Sequence, residues 1–416
     1  MTQKLHKIAC MPIRCGSVRV TRILITVCCL VALPVPSALS EERPQQEKVK
    51  DEESALQLRG AVRFEYDDNV FRLNSAGKSR LVVSEDGNIA SGRLDNMESI
   101  SDRIISTNFE LQYEPRKLWG RKATIEAEIT YHDYQRNSAS SYFDGQITLT
   151  RRLGKNGRVR AQTEFTLDRF RRNYLASVTD LNANGNIPIL ERQYARGVFH
   201  QFEPSIAYRH RLRWHRYEEG GWGFNVHVAF GALHRDYENP LANRDRDGMF
   251  GALWFEAELS RKLSLALRLR RENISTPSRN ETILVDETRS GFNRNMNGDA
   301  RIKANAPLNT MVDRSRNRNS LRFEAIWRIN GDWRASIEYR SRKSDFTSHN
   351  PLDVDHYGAT ETEDRVSASL RWRLKKRWFV TWKFQRTDSE DYEDLGLGQE
   401  EYRQKRISLT IRHRLQ

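Results

Sequence analysis

Cysteine is missing from almost the whole chain. All four residues (Cys10, Cys15, Cys28 and Cys29) fall within the first 29 positions. The rest can therefore hold no disulfide framework, thiolate metal site or cysteine nucleophile. Long apolar runs are equally scarce. After Ser40 no stretch reaches the roughly 20 residues of a spanning helix, and the mean hydropathy is −0.75. There is no glycine-rich phosphate loop and no histidine pair at metal-ligand spacing, so nucleotide-driven and metal-centred chemistry have no sequence support. Asp245-Arg246-Asp247-Gly248 matches only a fragment of a calcium loop, without its third ligand and distal glutamate, and reads as a turn.

What is present is alternation. In Thr107-Asn108-Phe109-Glu110-Leu111-Gln112-Tyr113-Glu114 and Ala123-Thr124-Ile125-Glu126-Ala127-Glu128-Ile129, every second side chain is apolar. A strand places alternate side chains on opposite faces. The pattern recurs from about residue 103 to the end and gives about fourteen strands: 56–66, 103–114, 122–134, 143–153, 157–170, 194–213, 222–236, 249–260, 262–273, 319–330, 332–344, 364–374, 377–388 and 402–415. Short polar turns, such as Gly154-Lys155-Asn156-Gly157, Ser260-Arg261-Lys262, Asn330-Gly331-Asp332 and Lys375-Lys376-Arg377, alternate with longer connections at 67–102, 171–193, 274–318 and 345–363. The expectation is an all-β fold, a closed antiparallel transmembrane barrel with both termini periplasmic. An antiparallel sheet can cross lipid only if it closes on itself.

The first forty residues read as an address label. Lys4, Lys7, Arg14, Arg19 and Arg22 form a basic region, 23–33 an apolar one, and Ala38-Leu39-Ser40 a small-residue cleavage site. The expected organisation is a signal peptide at 1–40, a disordered charged leader at 41–55, and a barrel at 56–416. The net charge of +14 loses five basic residues with the signal, leaving +9. A basic chain invites a nucleic-acid reading, but export argues against it, and no nucleic-acid partner is expected.

Aromatic residues agree with the barrel. Trp119, Trp214, Trp222, Trp333 and Trp378 lie beside short turns. Tyr131, Tyr134, Phe143, Phe170, Tyr237, Phe250, Phe346 and Tyr392 lie near the long-loop ends. The expectation is two belts at the membrane interfaces.

If apolar positions face lipid, polar ones face a lumen. These include Arg268, Arg270, Arg322, Arg328, Arg334, Arg340, Arg371, Arg373, Arg412 and Arg414. Acids among them are Glu110, Glu114, Glu126, Glu128, Glu164, Glu256, Glu258, Glu324 and Glu338, with Arg158 and Arg160 on the N-terminal side. Two readings stay open. Opposed charges could pair and stiffen a wet wall, or surplus guanidiniums could draw anions through it. The loops 67–102 and 274–318 exceed the usual connector length and could fold into the pore. The second carries Asn293-Arg294-Asn295-Met296-Asn297-Gly298-Asp299, which reads first as a solvated loop and second as amides for sugar hydroxyls. Rim histidines lie near aspartates (His132 by Asp133, His234 by Asp236, His356 by Asp353 and Asp355), but catalytic triads are recognised by geometry, not sequence neighbours. No catalytic residue, metal site or cofactor is assigned.

Phe64-Glu65-Tyr66-Asp67-Asp68-Asn69-Val70-Phe71-Arg72 resembles the opening of a family of outer-membrane β-barrel porins, some members of which are associated with exopolysaccharide secretion. The resemblance rests on these nine residues and the general architecture. It implies a channel in the outer membrane of a Gram-negative bacterium, passing or exporting an anionic polysaccharide or other anionic solute. The implied partners are outer-membrane lipid and lipopolysaccharide, the barrel-assembly machinery, and polysaccharide synthesis or export proteins. A general diffusion porin or plugged structural barrel is the alternative, and a rim lipid or peptide hydrolase a third.

Overall fold

The computed structural model describes residues 55–73, 98–115, 123–180, 190–214, 222–284, 307–350, 353, 356–375, 377–392 and 400–414. The expected signal peptide, the expected leader up to residue 54, Trp119, Lys376, Asp355 and the 293–299 run lie outside them.

Sixteen strands are formed among these residues. They are β1 (Ala55–Asp67), β2 (Asp102–Glu114), β3 (Ala123–Tyr134), β4 (Tyr142–Leu153), β5 (Gly157–Asp180), β6 (Leu190–Trp214), β7 (Trp222–Tyr237) and β8 (Arg246–Glu258). They continue with β9 (Leu263–Ser275), β10 (Arg279–Leu284), β11 (Pro307–Val312), β12 (Arg316–Arg328), β13 (Trp333–Phe346), β14 (Thr360–Lys375), β15 (Trp378–Tyr392) and β16 (Glu400–Arg414). Fourteen of them close into one antiparallel barrel, in which β9 pairs with β12 and β1 with β16. The other two, β10 and β11, pair separately as a hairpin. All fourteen expected strands are found. The hairpin was not expected, because its arms are separated by 285–306 and carry no tight-turn signal.

Register explains why the alternating sequences stack into a wall with two faces. Phe64 pairs with Ile105, Phe109 with Ile129, Ile206 with Phe230 and Val228 with Leu253. Paired residues face the same side, so the apolar positions form rows around the outside. There Phe109, Phe230 and Ile407 are 60%, 68% and 59% exposed, exposures that a water-soluble barrel would not present in rows. Glycine is required where the turn backbone demands it: Gly154, in the β4–β5 turn, has φ of 66°. Asn330 shapes another short turn by accepting from the N–H groups of Asp332 and Trp333.

Trp333, Trp372 and Trp378 sit at the short-turn end. Trp333 stacks on Trp372 with ring centroids 5.5 Å apart, and Trp378 on His413 at 4.3 Å. The belt expected at the opposite end is only partly formed. Tyr131 and Phe143 are exposed and in contact at 4.7 Å. Tyr134, Phe170, Tyr237 and Phe250 are instead buried in the mouth, and Arg316 lies 5.4 Å over Phe346. The physical reason is parity. Tyr134 alternates with Asp133 and Phe250 with Met249, and in each pair the aromatic has the inward position. Distance from a loop does not fix which face a side chain takes.

Strands β5 and β6 outgrow the others. Past Thr166 their register shifts three times, and Asp168 takes a left-handed φ of 57°. At the seam the first and last strands are tied by buried groups. The Arg406 Nε lies 2.8 Å from Asp67 Oδ2, and the Gln404 amide donates to both Asp67 oxygens and to the Asn69 carbonyl. β1 begins and β16 ends at the short-turn end.

Candidate functional site in the barrel lumen

The interior is identified by contacts that skip strands. Arg270 on β9 reaches Glu203 on β6 at 2.6 Å, although β8 and β7 lie between them in the wall. Such a contact can be made only across the inside. Counting outward from Arg270 through the registers, Arg268, Arg322, Arg328, Arg334, Arg340, Arg371, Arg373 and Arg412 all occupy positions of that same face.

These nine arginines do not form one group. Arg270 is held by Glu203 and by Glu272 at 2.5 Å, and its guanidinium lies 3.7 Å over the Phe250 ring. The Phe250 ring in turn covers Gly231, where any Cβ would collide with it. Arg322 is paired with Glu338 at 2.8 Å and Glu324 at 3.6 Å. Arg268 lies over Trp254 at 5.2 Å. Arg340 stands between Arg322 and Arg365 in register. Arg373 is outside this set in function, because it closes on Asp332 of a short turn at 3.0 Å. Arg414, also expected on the wall, lies at the β16 end opposite Arg59.

Toward the long-loop end the charges are gathered into a buried network. Glu363, 3% exposed at its side chain, meets Arg72 at 3.1 Å, Arg365 at 3.2 Å and Arg342 at 3.8 Å. Glu272 receives Arg318 as well as Arg270. The segment after β1 completes the network from inside the mouth. Asn69, fully buried, accepts from the Leu73 N–H and donates to the carbonyls of Leu73 and Arg403. This turns the chain inward at Arg72, whose φ is 55°. Val70 then packs on Ile104, Tyr134 and Tyr142. Phe71 packs on Phe170 and Val198 from β5 and β6. Arg72 reaches the opposite way, to Glu363 on β14 and Tyr402 on β16. Three consecutive side chains thus brace well-separated parts of the wall across the mouth. The Asp-Asp-Asn-Val-Phe-Arg stretch, readable in sequence only as a turn, makes this brace.

Toward the short-turn end the wall is different. A cavity of about 390 Å³ is bounded by β1 and β13–β16, with Arg63, Arg334, Arg371, Lys383 and Arg412 among its lining residues, interspersed with serine and threonine hydroxyls; Glu65, its one lining carboxylate, lies 3.6 Å from Arg406. Arg328, Arg334 and Arg371 are successive partners in register, and Arg371 stacks on Phe379 at 4.2 Å. Arg334, Arg371 and Arg412 make no ion pair with a described carboxylate. Arg63, Lys383, Arg342, Arg365 and Arg406 escaped the sequence reading. Alternation with their outward neighbours, as in Val62-Arg63-Phe64 and Trp382-Lys383-Phe384, would have found them.

The rim histidines are tied into hydrogen bonds. His132 bridges Ser106 Oγ at 2.9 Å and Asp144 at 3.0 Å and stacks on Tyr142. The partners are therefore not its sequence neighbour Asp133. The distances are those of a Ser–His–Asp relay, but Ser106 is 3% exposed. It also sits mid-strand, where the neighbouring N–H groups serve the ladders with β1 and β3 and none is left to cradle an oxyanion. His234 lies between Asp236 and Asp247 on the outer face. His356 bonds Asp353, which itself accepts from the Asp313 N–H and the Ser348 hydroxyl.

No protein-family model and no curated protein matches the sequence. Among solved structures the chain is similar to the outer-membrane channel DcaP of Acinetobacter baumannii, at 9% identity over 87% of this chain and 97% of that one, with a TM-score of 0.42. It is similar to an anion-selective porin from Comamonas acidovorans at 11% identity over 87% and 100%, TM-score 0.37. OccAB3 of Acinetobacter baumannii matches at 10% identity over 86% and 99%, TM-score 0.35.

Proposed function

We propose that the chain is an outer-membrane barrel of a Gram-negative bacterium, with short turns and both termini in the periplasm, and that it passes anionic solutes. The exposed apolar rows and the tryptophan belt support the membrane setting. The observation that carries the anion reading is the inner cavity, which Arg334, Arg371 and Arg412 line without an ion pair to any described carboxylate, Glu65 there being held by Arg406. A guanidinium cannot shed its charge, binds carboxylate or phosphate through two parallel bonds, and acts more strongly beside low-dielectric walls. The surrounding hydroxyls (Ser336, Ser369, Thr381 and Thr410) offer the donors and acceptors that a sugar acid uses. An acidic oligosaccharide is accordingly the favoured solute. Export of a whole polysaccharide would need a synthase or periplasmic partner for direction, and insertion would need the barrel-assembly machinery.

The test is the reversal potential across a planar bilayer holding the refolded chain under a salt gradient, repeated with an acidic oligosaccharide. Anion-selective current that the oligosaccharide blocks supports the reading, while cation selectivity overturns it. A second reading, a structural barrel with a closed mouth, is favoured by the brace at Val70, Phe71 and Arg72. A folded, inserted barrel without current would select it over the channel. The hydrolase reading loses support from the burial of Ser106, and unchanged background ester cleavage after Ser106→Ala would dispose of it.

A further inference from the structure

The outer face of the wall carries a groove that the lumen reading leaves unused. Its floor and sides come from Val228 and Phe230 on β7, Gly251 and Leu253 on β8, Leu269 on β9 and Leu321 on β12, and its volume is about 650 Å³. The groove exists because Gly251, the partner of Phe230, has no side chain. A Cβ there would meet only the Phe230 ring, 3.8 Å away. One register row contains Phe230, Gly251, Arg271, Asn319 and Lys343 in order. The row toward the tryptophan belt is Val228, Leu253, Leu269, Leu321 and Ser341. An apolar trough therefore ends, on its long-loop side, at two exposed cations flanking an exposed amide.

Height decides what such a trough meets. Lys343 stands ten residues beyond Trp333 along β13. At about 3.3 Å per residue and a tilt of about 40°, this is a rise of roughly 25 Å, the height of the apolar band of an outer-membrane barrel. With tryptophan marking the periplasmic interface, Arg271 and Lys343 stand at the outer interface, level with lipid headgroups. Arg271 makes no ion pair with a described carboxylate. Lys343 shares its charge with Asp345 at 3.2 Å, a solvent-exposed pair of the kind that exchanges readily.

We infer that this groove holds one phosphorylated, acylated lipid of the outer leaflet. Arg271 and Lys343 grip the phosphate, Asn319 contacts the headgroup, and an acyl chain lies along Phe230, Leu253, Leu269 and Leu321. Charge complementarity at the trough's end selects this occupant over a second copy of the chain, which would have to bring its own anion to the same height. The inference rests on the membrane reading above and deepens it.

The full chain is refolded into phosphatidylcholine vesicles containing lipid A, in either its phosphorylated or its dephosphorylated form. Insertion is read first, from the heat-dependent gel mobility of the folded barrel. Lipid A retained per extracted barrel is then counted by native mass spectrometry. The expected result is one phosphorylated lipid A per barrel, with retention falling about tenfold, some 1.4 kcal/mol, for the dephosphorylated lipid and for the Arg271→Gln/Lys343→Gln pair. Gly251→Leu, which fills the trough while keeping both cations, should lose retention as well. Equal retention of both lipids, or by the double variant, overturns the site while leaving the barrel reading intact. Failure of the wild-type chain to insert overturns the membrane reading, and this inference with it.

Discussion

The two ends of the lumen use the same residue for opposite purposes. At the mouth, arginine is buried and tied to carboxylates: Glu363 gathers three guanidiniums, one of them Arg72 of the bracing segment, and Glu272 two. Toward the short turns, Arg334, Arg371 and Arg412 line a cavity among hydroxyls and make no ion pair with a described carboxylate. Pairing fixes the first set in place. In the function proposed above, the second set, without such pairs among the described residues, is the one that attracts a solute. A count of arginines cannot make this distinction: the pairing reading holds at the mouth, and the anion reading is the one proposed for the other end.

The comparison can be broken by experiment. The largest effect is expected from Arg334→Glu combined with Arg371→Glu and Arg412→Glu. The anion-over-cation permeability ratio should fall at least about tenfold, read as a reversal potential of opposite sign. An unchanged potential would move selectivity to the mouth. Next, Glu363→Gln should cost about 3 kcal/mol of barrel stability, because it leaves buried guanidiniums without their counter-charge. Urea unfolding in detergent micelles reads it, with selectivity preserved. Phe71→Ala should remove a similar amount, about 3 kcal/mol, from docking of the brace and so raise single-channel conductance. Gly231→Val should displace Phe250 and with it Arg270, at about 1–3 kcal/mol, again by urea unfolding. The smallest change belongs to Arg373→Gln. Its exposed pair with Asp332 is worth under about 1 kcal/mol, and current through the barrel should not alter.

Much of this was legible in the sequence, for a reason of period. Alternation over a dozen residues, as in β2 or β16, leaves a strand only one way to turn its apolar face outward, and turns such as Asn330-Gly331-Asp332 fix where each strand reverses. The arginine wall follows from the same counting. What the period could not supply lies where strands leave the wall. Val70, Phe71 and Arg72 do not alternate against lipid. Their places come from contacts with β5, β6, β14 and β16, hundreds of residues away in the last case. The partners of Arg270 and Glu203 are separated by two strands, a relation that adjacent-strand reasoning never considers. Tyr134 and Phe250 differ, since their inward parity is readable from alternation and nearness to a loop does not override it.

The seam has a bearing on how the molecule is made. Asp67 belongs to the first strand and is fully buried, yet the Gln404 and Arg406 groups that satisfy it arrive with the last. Until the final strand docks, that carboxylate is left without its cation and amide, so every partly assembled sheet retains an unsatisfied edge with a strong preference for one sequel. Closure between positions so distant in the chain is slow. An internal carboxylate waiting for its guanidinium then acts as a completion check: a chain whose last strand is truncated or mispaired stays open, and open sheets do not persist in lipid.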